Sequence, residues 1–289
     1  MSEITFSFGK NWQAYLRAAD DEAVGLAQAD VLHWLGRGAI EGRSVLDVGS
    51  GSGIHSLAFW QLGAESIHSL DVDSASVEAT RSVWTEAGRP ANWQVLEASI
   101  LDAGLPGRLK PDGYEIVYSW GVLHHTGAMW EALGKTLGLV AEGGRLWIGL
   151  YASGPRYEQI LALKRSYNAG GSSKRWLLER RLILRSILRQ GANSSRALLR
   201  LDFKHLTNPL RWNRRVGRGM DTYHDIVDWL GGLPYEEADH NEVISFVRPL
   251  GFVLDRLEPA AEGGNTIYLF SHHPELVQTG RQPQLGAMD

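Results

Sequence analysis

Short apolar runs alternate along the chain with longer segments in which apolar residues recur every three or four positions. Runs rich in Val, Ile, Leu and Trp and bounded by Gly, Asp or Pro are typical of buried strands. The segments with helical spacing between them end at glycines, as crossover helices do. The pattern predicts strands at Ser44–Val48, Ser66–Leu70, Trp93–Leu96, Tyr114–Ser119, Arg145–Leu150, Phe252–Leu257 and Asn265–Ser271, and crossover helices at Ile54–Leu62, Ala75–Ala87 and Met129–Val140.

This alternation indicates the class of fold. Two parallel strands with a helix between them are joined by a right-handed crossover, so repeating the unit predicts an α/β fold. Its doubly wound, mostly parallel sheet has helices on both faces. Further along, Tyr223–Leu230 has helical spacing, and Asp239 with Glu242 forms a capping-box start for a helix that runs to Arg248. A turn containing two glycines joins the last two predicted strands, which predicts a hairpin at the end of the sheet.

Charge divides the chain into two compositions. The 289 residues are 44% apolar and carry 29 Lys plus Arg against 33 Asp plus Glu, which excludes a disordered chain and a general polyanion binder. Between residues 151 and 220, however, there are 16 bases and 3 acids. We therefore predict a Rossmann-like core at 1–153 and 220–273, with an N-terminal helical cover at 1–38. A basic helical lid at 154–219 interrupts this core, and a loose tail follows at 274–289.

The chain contains no cysteine, which excludes disulfides, thiolate metal sites and a cysteine nucleophile. Its first eight residues lack the basic and apolar regions of a signal peptide, and no apolar run approaches the ~18 residues that a membrane span needs. We expect a cytoplasmic protein.

A glycine-rich turn follows the first predicted strand. Val45–Gly53 reads VLDVGSGSG, and glycines at such a turn let a ligand approach the backbone closely. Asp71 ends the second predicted strand, where an acid can accept hydrogen bonds from both ribose hydroxyls of an adenosine.

A dinucleotide must place a diphosphate over this loop, and Asp47 would repel it. The third glycine of the dinucleotide fingerprint is also missing, because Ile54 occupies its position. A nicotinamide oxidoreductase is therefore disfavoured, and a cationic ligand such as S-adenosylmethionine is favoured.

The sequence resembles the class I S-adenosylmethionine-dependent methyltransferases of small-molecule type, through Asp47–Gly53, Asp71 and Val117–His125. The resemblance implies a seven-stranded sheet whose last strand is antiparallel, with S-adenosylmethionine as cofactor and S-adenosylhomocysteine as product. The loop glycines would line the methionine part and Asp71 the ribose, while an N-terminal aromatic either shields the cofactor or packs as a buried staple. The implied cofactor-binding residues are Trp12, Asp47, Gly49, Gly51, Gly53, Asp71, Val72, Ser99, Ile100 and Ser119.

Methyl transfer is an in-line displacement that mainly needs an aligned, desolvated acceptor. Enzymes that methylate base amines usually carry Asn or Asp, two prolines and an aromatic after the fourth strand. This chain has Ser119–Val122 there, which disfavours a nucleic-acid amine as acceptor.

His124 and His125 follow, and either is a candidate general base for a hydroxyl acceptor, the alternative being that one of them packs or caps a helix. Tyr223 and His224 are second candidates for acceptor contacts or proton removal. No third ligand has metal-site spacing, so we expect no metal.

The basic segment allows several interpretations. On a helical wheel Leu177, Ile183, Leu184, Ile187 and Leu188 gather on one side, and Arg181, Arg185 and Arg189 form a stripe on another. The arginines form a solvated face on a helix whose apolar side packs on the core, or recognise an anionic group on a small acceptor. They could also bind a membrane surface, which would suit a quinone-ring or lipid-linked acceptor, or RNA.

We predict a methyltransferase that O-methylates a small organic acceptor, a metabolite or natural product, with His124 or His125 as base. A nicotinamide oxidoreductase and a cofactor-binding protein without catalysis remain as alternatives from other classes.

Overall fold

A computed structural model describes residues 8–9, 11–12, 21–199 and 222–279. Part of the predicted cover, the last 20 residues of the predicted lid and most of the predicted tail lie outside these ranges. The first residues of that tail form a short helix, Glu275–Thr279. Nothing in the described chain separates the predicted core, lid and tail into units, so these boundaries stay a prediction.

Seven strands form a single sheet in the order β3-β2-β1-β4-β5-β7-β6. The first five are parallel to one another, and β7 is antiparallel to both β5 and β6. This confirms the doubly wound, mostly parallel sheet and the closing hairpin. The strands are β1 (Ser44–Val48), β2 (Ser66–Asp71), β3 (Trp93–Glu97), β4 (Tyr114–Trp120), β5 (Val140–Tyr151), β6 (Phe252–Glu258) and β7 (Asn265–His272).

Helices cover both faces of the sheet. Adjacent residues of β1 point to opposite sides, so Val45 belongs to one apolar cluster with α1 and α2 while Leu46 belongs to another with α4 and α8. The helix α8 begins at the capping box predicted from Asp239 and Glu242. The helices are α1 (Asp21–Leu35), α2 (Ile54–Gln61), α3 (Ser74–Glu86), α4 (Met129–Leu137), α5 (Tyr157–Asn168), α6 (Ser172–Leu199), α7 (Thr222–Gly231), α8 (His240–Val247) and α9 (Glu275–Thr279).

The region around residue 140 differs from the prediction. The helix expected to reach Val140 ends at Leu137, and β5 begins at Val140 instead of Arg145. Val140 pairs with Tyr114 and Arg145 with Ile116, so residues 141–144 are accommodated as an irregularity in the strand. Gly143 has a φ of 70°, which glycine adopts easily. It therefore belongs to the irregularity within the strand and does not end a helix, as the sequence had predicted.

The apolar residues of α6 are less completely buried than the prediction expected. Ile183 is buried, but Leu177, Leu184 and Leu188 are 60%, 56% and 62% exposed. The apolar side predicted to pack on the core is therefore divided between packed and exposed residues. None of the helices within the described ranges is both long enough and apolar enough to cross a bilayer.

Candidate cofactor and acceptor site

A cavity of about 800 Å³ lies at the carboxyl ends of the parallel strands, which is where open α/β sheets bind ligands. Residues that directly follow or end β1 to β5 form its floor, and residues of the N-terminal segment, α7 and the β6–β7 turn form its walls. Its lining is Phe8, Trp12, Gly49, Gly51, Asp71, Val72, Asp73, Ser74, Ser99, Leu101, Trp120, Gly121, Val122, His125, Thr126, Tyr151, Asp225, Asp228, Trp229, Pro234, Gly263, Gly264 and Asn265.

The turn after β1 has a backbone that only glycine adopts easily. Gly49, Gly51 and Gly53 have φ values of 80°, 54° and 78°. A Cβ atom on Gly49 would lie 2.2 Å from Val122 Cγ2, and one on Gly51 would lie 2.9 Å from the Trp12 ring. Gly49 and Gly51 line the cavity, whereas Gly53 lies behind it. The glycines thus allow the turn and the close packing of Val122 and Trp12 against it, and the predicted approach of a ligand to this backbone stays a prediction.

Asp71 and Asp73 connect the glycine turn to the N-terminal segment. The Asp71 carboxylate accepts hydrogen bonds from the Gly51 and Asp73 backbone N–H groups, at 3.0 and 2.9 Å. Burial raises the pKa of Asp71 to about 6. Asp73 caps α3 and also accepts a hydrogen bond from the Gly9 N–H at 3.0 Å. Both carboxylates line the cavity and give it a negative potential.

Asp47 lies beneath the loop and not in the cavity wall. It is 1% exposed, and its Oδ2 accepts a 2.6 Å hydrogen bond from the Ser56 hydroxyl. Ser56 shares a 2.6 Å contact with Ser69, which accepts a hydrogen bond from the Trp93 indole. Asp47 Oδ1 has no hydrogen-bond partner among the described residues. Burial raises the pKa of this carboxyl to about 7, so a cation above the loop would favour its ionised form.

The two adjacent histidines have different environments. His124 is fully buried, stacks on Tyr151 with 3.8 Å between ring centroids, and accepts the Tyr151 N–H through Nδ1 at 3.3 Å. His125 lines the cavity and donates its Nδ1–H to the Pro234 carbonyl at 2.6 Å. This bond fixes the tautomer in which Nε2 carries the lone pair. Burial and the nearby Lys164 ammonium lower the pKa of His125 to about 3, so the imidazole is neutral.

A buried lysine lies behind the cavity wall. The Lys164 side chain is fully buried, and its Nζ donates to the Trp229 carbonyl. It also lies 5.2, 4.9 and 4.7 Å from the ring centroids of Tyr151, Trp229 and Tyr235. Burial lowers the pKa of Lys164 to about 7. Tyr151 and Trp229 line the cavity, so this amine holds two of its walls in place.

The structure places the second pair of predicted acceptor residues away from the cavity. Tyr223 donates its hydroxyl to Glu179 of α6 at 3.3 Å, and neither Tyr223 nor His224 lines the cavity. The same helix instead presents Asp225, Asp228 and Trp229. The sequence pattern identified α7, but the face turned towards the cavity depends on tertiary contacts that the pattern does not show.

The other predicted cofactor residues divide into two groups. Trp12, Val72 and Ser99 line the cavity, and Val72 is exposed. Ile100 is buried in the core instead, and the Ser119 hydroxyl donates to the Val48 carbonyl at 3.0 Å, joining β4 to β1. Within the described ranges, no three His, Asp or Glu side chains are grouped so that they could hold a metal ion.

Comparisons with known proteins place this architecture in a class. The model of the ribosomal protein L11 methyltransferase family (PrmA) matches residues 29–105. A tRNA U34 carboxymethyltransferase of Idiomarina loihiensis is 31% identical over 107 residues, 37% of this chain and 32% of that protein. A ribosomal protein L11 methyltransferase of Thiobacillus denitrificans is 30% identical over 150 residues, 50% of this chain and 46% of that protein. The chain thus spans less than half the length of these relatives.

Similarity of fold extends over nearly the whole chain. The magnesium protoporphyrin IX methyltransferase of Synechocystis PCC 6803, solved with bound S-adenosylhomocysteine, superposes with a TM-score of 0.52 at 14% identity. The match covers 91% of this chain and 93% of that one. The chain has the fold of the class I S-adenosylmethionine-dependent methyltransferases, as the motifs indicated. The matched family segment ends at residue 105, before β4. It therefore does not include the cavity residues His125, Tyr151 and Trp229.

Proposed function

We propose that the protein transfers a methyl group from S-adenosylmethionine to a hydroxyl group of a small organic acceptor. The observation that carries this proposal is one continuous cavity that contacts both the glycine turn after β1 and the imidazole of His125. A donor held at the turn and an acceptor held at the histidine would then face each other, as an in-line displacement requires.

The glycine end of the cavity has the chemistry of a site for a cationic adenosine derivative. Gly49 and Gly51 line this end without side chains of their own, and the acids Asp71 and Asp73 line the wall beside them. These carboxylates attract a sulfonium and an ammonium and repel a diphosphate, which argues against the nicotinamide alternative. When bound, S-adenosylmethionine supplies an electrophilic methyl group. Gly49, Gly51, Asp71, Val72, Ser99 and Trp12 are the residues we assign to holding it.

The other end combines aromatic and prolyl walls, which exclude water from the reacting atoms, with two acids of α7, Asp225 and Asp228. Tyr151, Trp229 and Pro234 line it, and the Trp229 indole donates to the Gly263 carbonyl at 2.8 Å, which fixes its orientation. No Lys or Arg of the described residues lines the cavity. We therefore favour a neutral acceptor over one that carries an anionic group. A cavity of about 800 Å³ suits a small molecule better than a ribosomal protein or a tRNA.

His125 is our candidate for the group that receives the acceptor proton. Its Nδ1–H is held by the Pro234 carbonyl, so Nε2 is the nitrogen able to accept. Because Lys164 and burial disfavour the imidazolium, the histidine is a weak base. This matches an acceptor whose hydroxyl is already acidic, such as a phenol, since a less acidic alcohol would need a stronger base. His124 has the role of positioning Tyr151.

Calorimetry and a transfer assay test the proposal together. We expect S-adenosylhomocysteine to bind the purified protein with a Kd in the micromolar range and NADH not to bind. Release of S-adenosylhomocysteine from S-adenosylmethionine should then depend on an added acceptor in a panel of phenols, carboxylic acids, aliphatic alcohols and amines. NADH binding in place of S-adenosylhomocysteine would overturn the proposed class. Binding without turnover on any phenol would overturn the proposed acceptor.

A further inference from the structure

The solvent-facing side of α6 combines leucines with arginines. Residues 172–175 are all exposed, and from Trp176 to Arg189 the exposed residues recur as neighbouring pairs four positions apart, from 176 and 177 to 188 and 189. The intervening pairs, such as Leu182 and Ile183, are the more buried ones. One face of the helix therefore packs on the protein and the other is presented to solvent. The exposed face consists of Trp176, Leu177, Arg180, Arg181, Leu184, Arg185, Leu188 and Arg189.

Four large apolar side chains on this face are more than half exposed to solvent. Trp176 is 56% exposed, and the three leucines at 177, 184 and 188 are at least as exposed. Leucines at these spacings lie along one line of the helix, and the arginines lie beside them. The Arg180 guanidinium lies 5.6 Å from the Trp176 ring centroid. Such a mixture of long cations, tryptophan and leucine is the composition of helices that lie in a lipid headgroup layer.

We propose that this face of α6 binds an anionic membrane surface, with the leucines and Trp176 inserted at the headgroup boundary and the arginines on the lipid phosphates. Charge complementarity selects this occupant, because arginines at 180, 181, 185 and 189 carry the exposed face while the acid Glu179 is turned inward. Glu179 accepts hydrogen bonds from Tyr167 of α5 and Tyr223 of α7. The four exposed apolar side chains favour lipid over RNA, which would be contacted through charge and stacked aromatics.

The attachment of α6 would place the cavity at the membrane. The helix α7, to which Glu179 is bonded through Tyr223, contributes Asp228 and Trp229 to the cavity wall. This lipid-binding property does not depend on the proposed methyl transfer, since it is measured without cofactor.

Co-sedimentation with vesicles tests the proposal. The full chain should bind vesicles of phosphatidylglycerol and phosphatidylcholine in equal parts, and bind phosphatidylcholine vesicles much more weakly. Arg181→Gln/Arg185→Gln/Arg189→Gln should weaken binding about 100-fold, because each arginine contributes about a factor of five at an anionic surface. A matched control, Arg81→Gln/Arg108→Gln/Arg248→Gln, removes three exposed arginines elsewhere and should retain binding within about threefold.

Leu177→Gln/Leu184→Gln/Leu188→Gln separates lipid insertion from simple attraction to a polyanion. We expect this variant to lose vesicle binding at least tenfold while its unfolding temperature is unchanged or raised. Three outcomes would overturn the proposal: unchanged vesicle binding by the leucine variant, tighter binding to RNA than to vesicles, or a dimer buried through this face that does not bind vesicles. Loss of methyl transfer with intact vesicle binding would contradict only the proposed function.

Discussion

At the scale of single residues, two neighbouring histidines show how burial and one hydrogen bond assign different roles. His124 lies under Tyr151 as part of the wall, with its ring fully buried. His125 reaches the cavity with its tautomer fixed by the Pro234 carbonyl. The sequence could identify the pair as candidates, because both follow the fourth strand at the ligand-binding edge. It could not separate them, since the Pro234 carbonyl is more than 100 residues away along the chain.

Replacing His125 by alanine should reduce kcat about 10²- to 10⁴-fold, the usual contribution of a positioned base. The affinity for S-adenosylhomocysteine should change less than twofold, because the residue lies at the acceptor end. Because the pKa of His125 is lowered to about 3, the neutral, proton-accepting form persists on acidification. The wild-type profile of kcat at saturating S-adenosylmethionine, where protonation of Asp71 no longer limits cofactor binding, should therefore have no acidic limb near pH 6.5. Steady-state kinetics across pH 5 to 9 measures both quantities.

His273→Ala is the matched control for this variant, since His273 is a partly exposed histidine that follows β7 and does not line the cavity. It should keep wild-type turnover. If His125→Ala retained kcat within threefold at every pH, the assignment of the base would be wrong.

At the scale of elements, the strands could be predicted because a buried strand in a parallel sheet is a continuous apolar run. The limits of the seven predicted strands agree with the structure within one residue, except at the start of β5. There the irregularity at residues 141–144 breaks the pattern, because this stretch contains Glu142 and two glycines and no large apolar residue although the strand is paired on either side. The residues of α7 that line the cavity could not be predicted either, since they depend on how this helix packs against the sheet.

The turn between β1 and α2 provides a test at this scale. Gly49→Ala places a Cβ atom 2.2 Å from Val122 in a backbone with φ of 80°. The turn must then shift away from Val122 and from the cavity. We expect the Kd for S-adenosylhomocysteine, measured by calorimetry, to rise at least tenfold.

Gly138→Ala is the control, because Gly138 has a helical φ of −65° and its added Cβ would meet nothing closer than 3.5 Å. This variant should bind as the wild type does. Equal affinities for the two alanine variants would contradict the close approach that we assign to the turn.

At the scale of the whole molecule, a carboxyl beneath the loop links stability to pH. Burial raises the pKa of Asp47 from its usual 3.8 to about 7. The folded state therefore keeps this proton between about pH 4 and 7 after the unfolded chain has lost it, so the contribution of Asp47 to stability falls as pH rises through this window. Above pH 7 the buried carboxylate destabilises the fold by about 4 kcal/mol, at 1.36 kcal/mol for each pKa unit.

Asp47→Asn removes this dependence while keeping an acceptor for Ser56. The free energy of unfolding of the variant, relative to wild type, should increase by about 4 kcal/mol from pH 4 to pH 8 in denaturant titrations. Ser245→Ala, an exposed substitution on α8, should show a constant difference over the same range. A constant difference for Asp47→Asn would mean that its carboxyl is not desolvated.

The cavity is closed by residues far apart in the chain. Phe8 and Trp12 form one wall, and Gly263, Gly264 and Asn265 form another, with β7 inserted between β5 and β6. During synthesis the ribosome must therefore release both β6 and β7 before a complete pocket exists. A nascent chain that ended after β5 would expose an unpaired strand edge, which is prone to aggregate. The late addition of this hairpin both completes the pocket and protects the sheet.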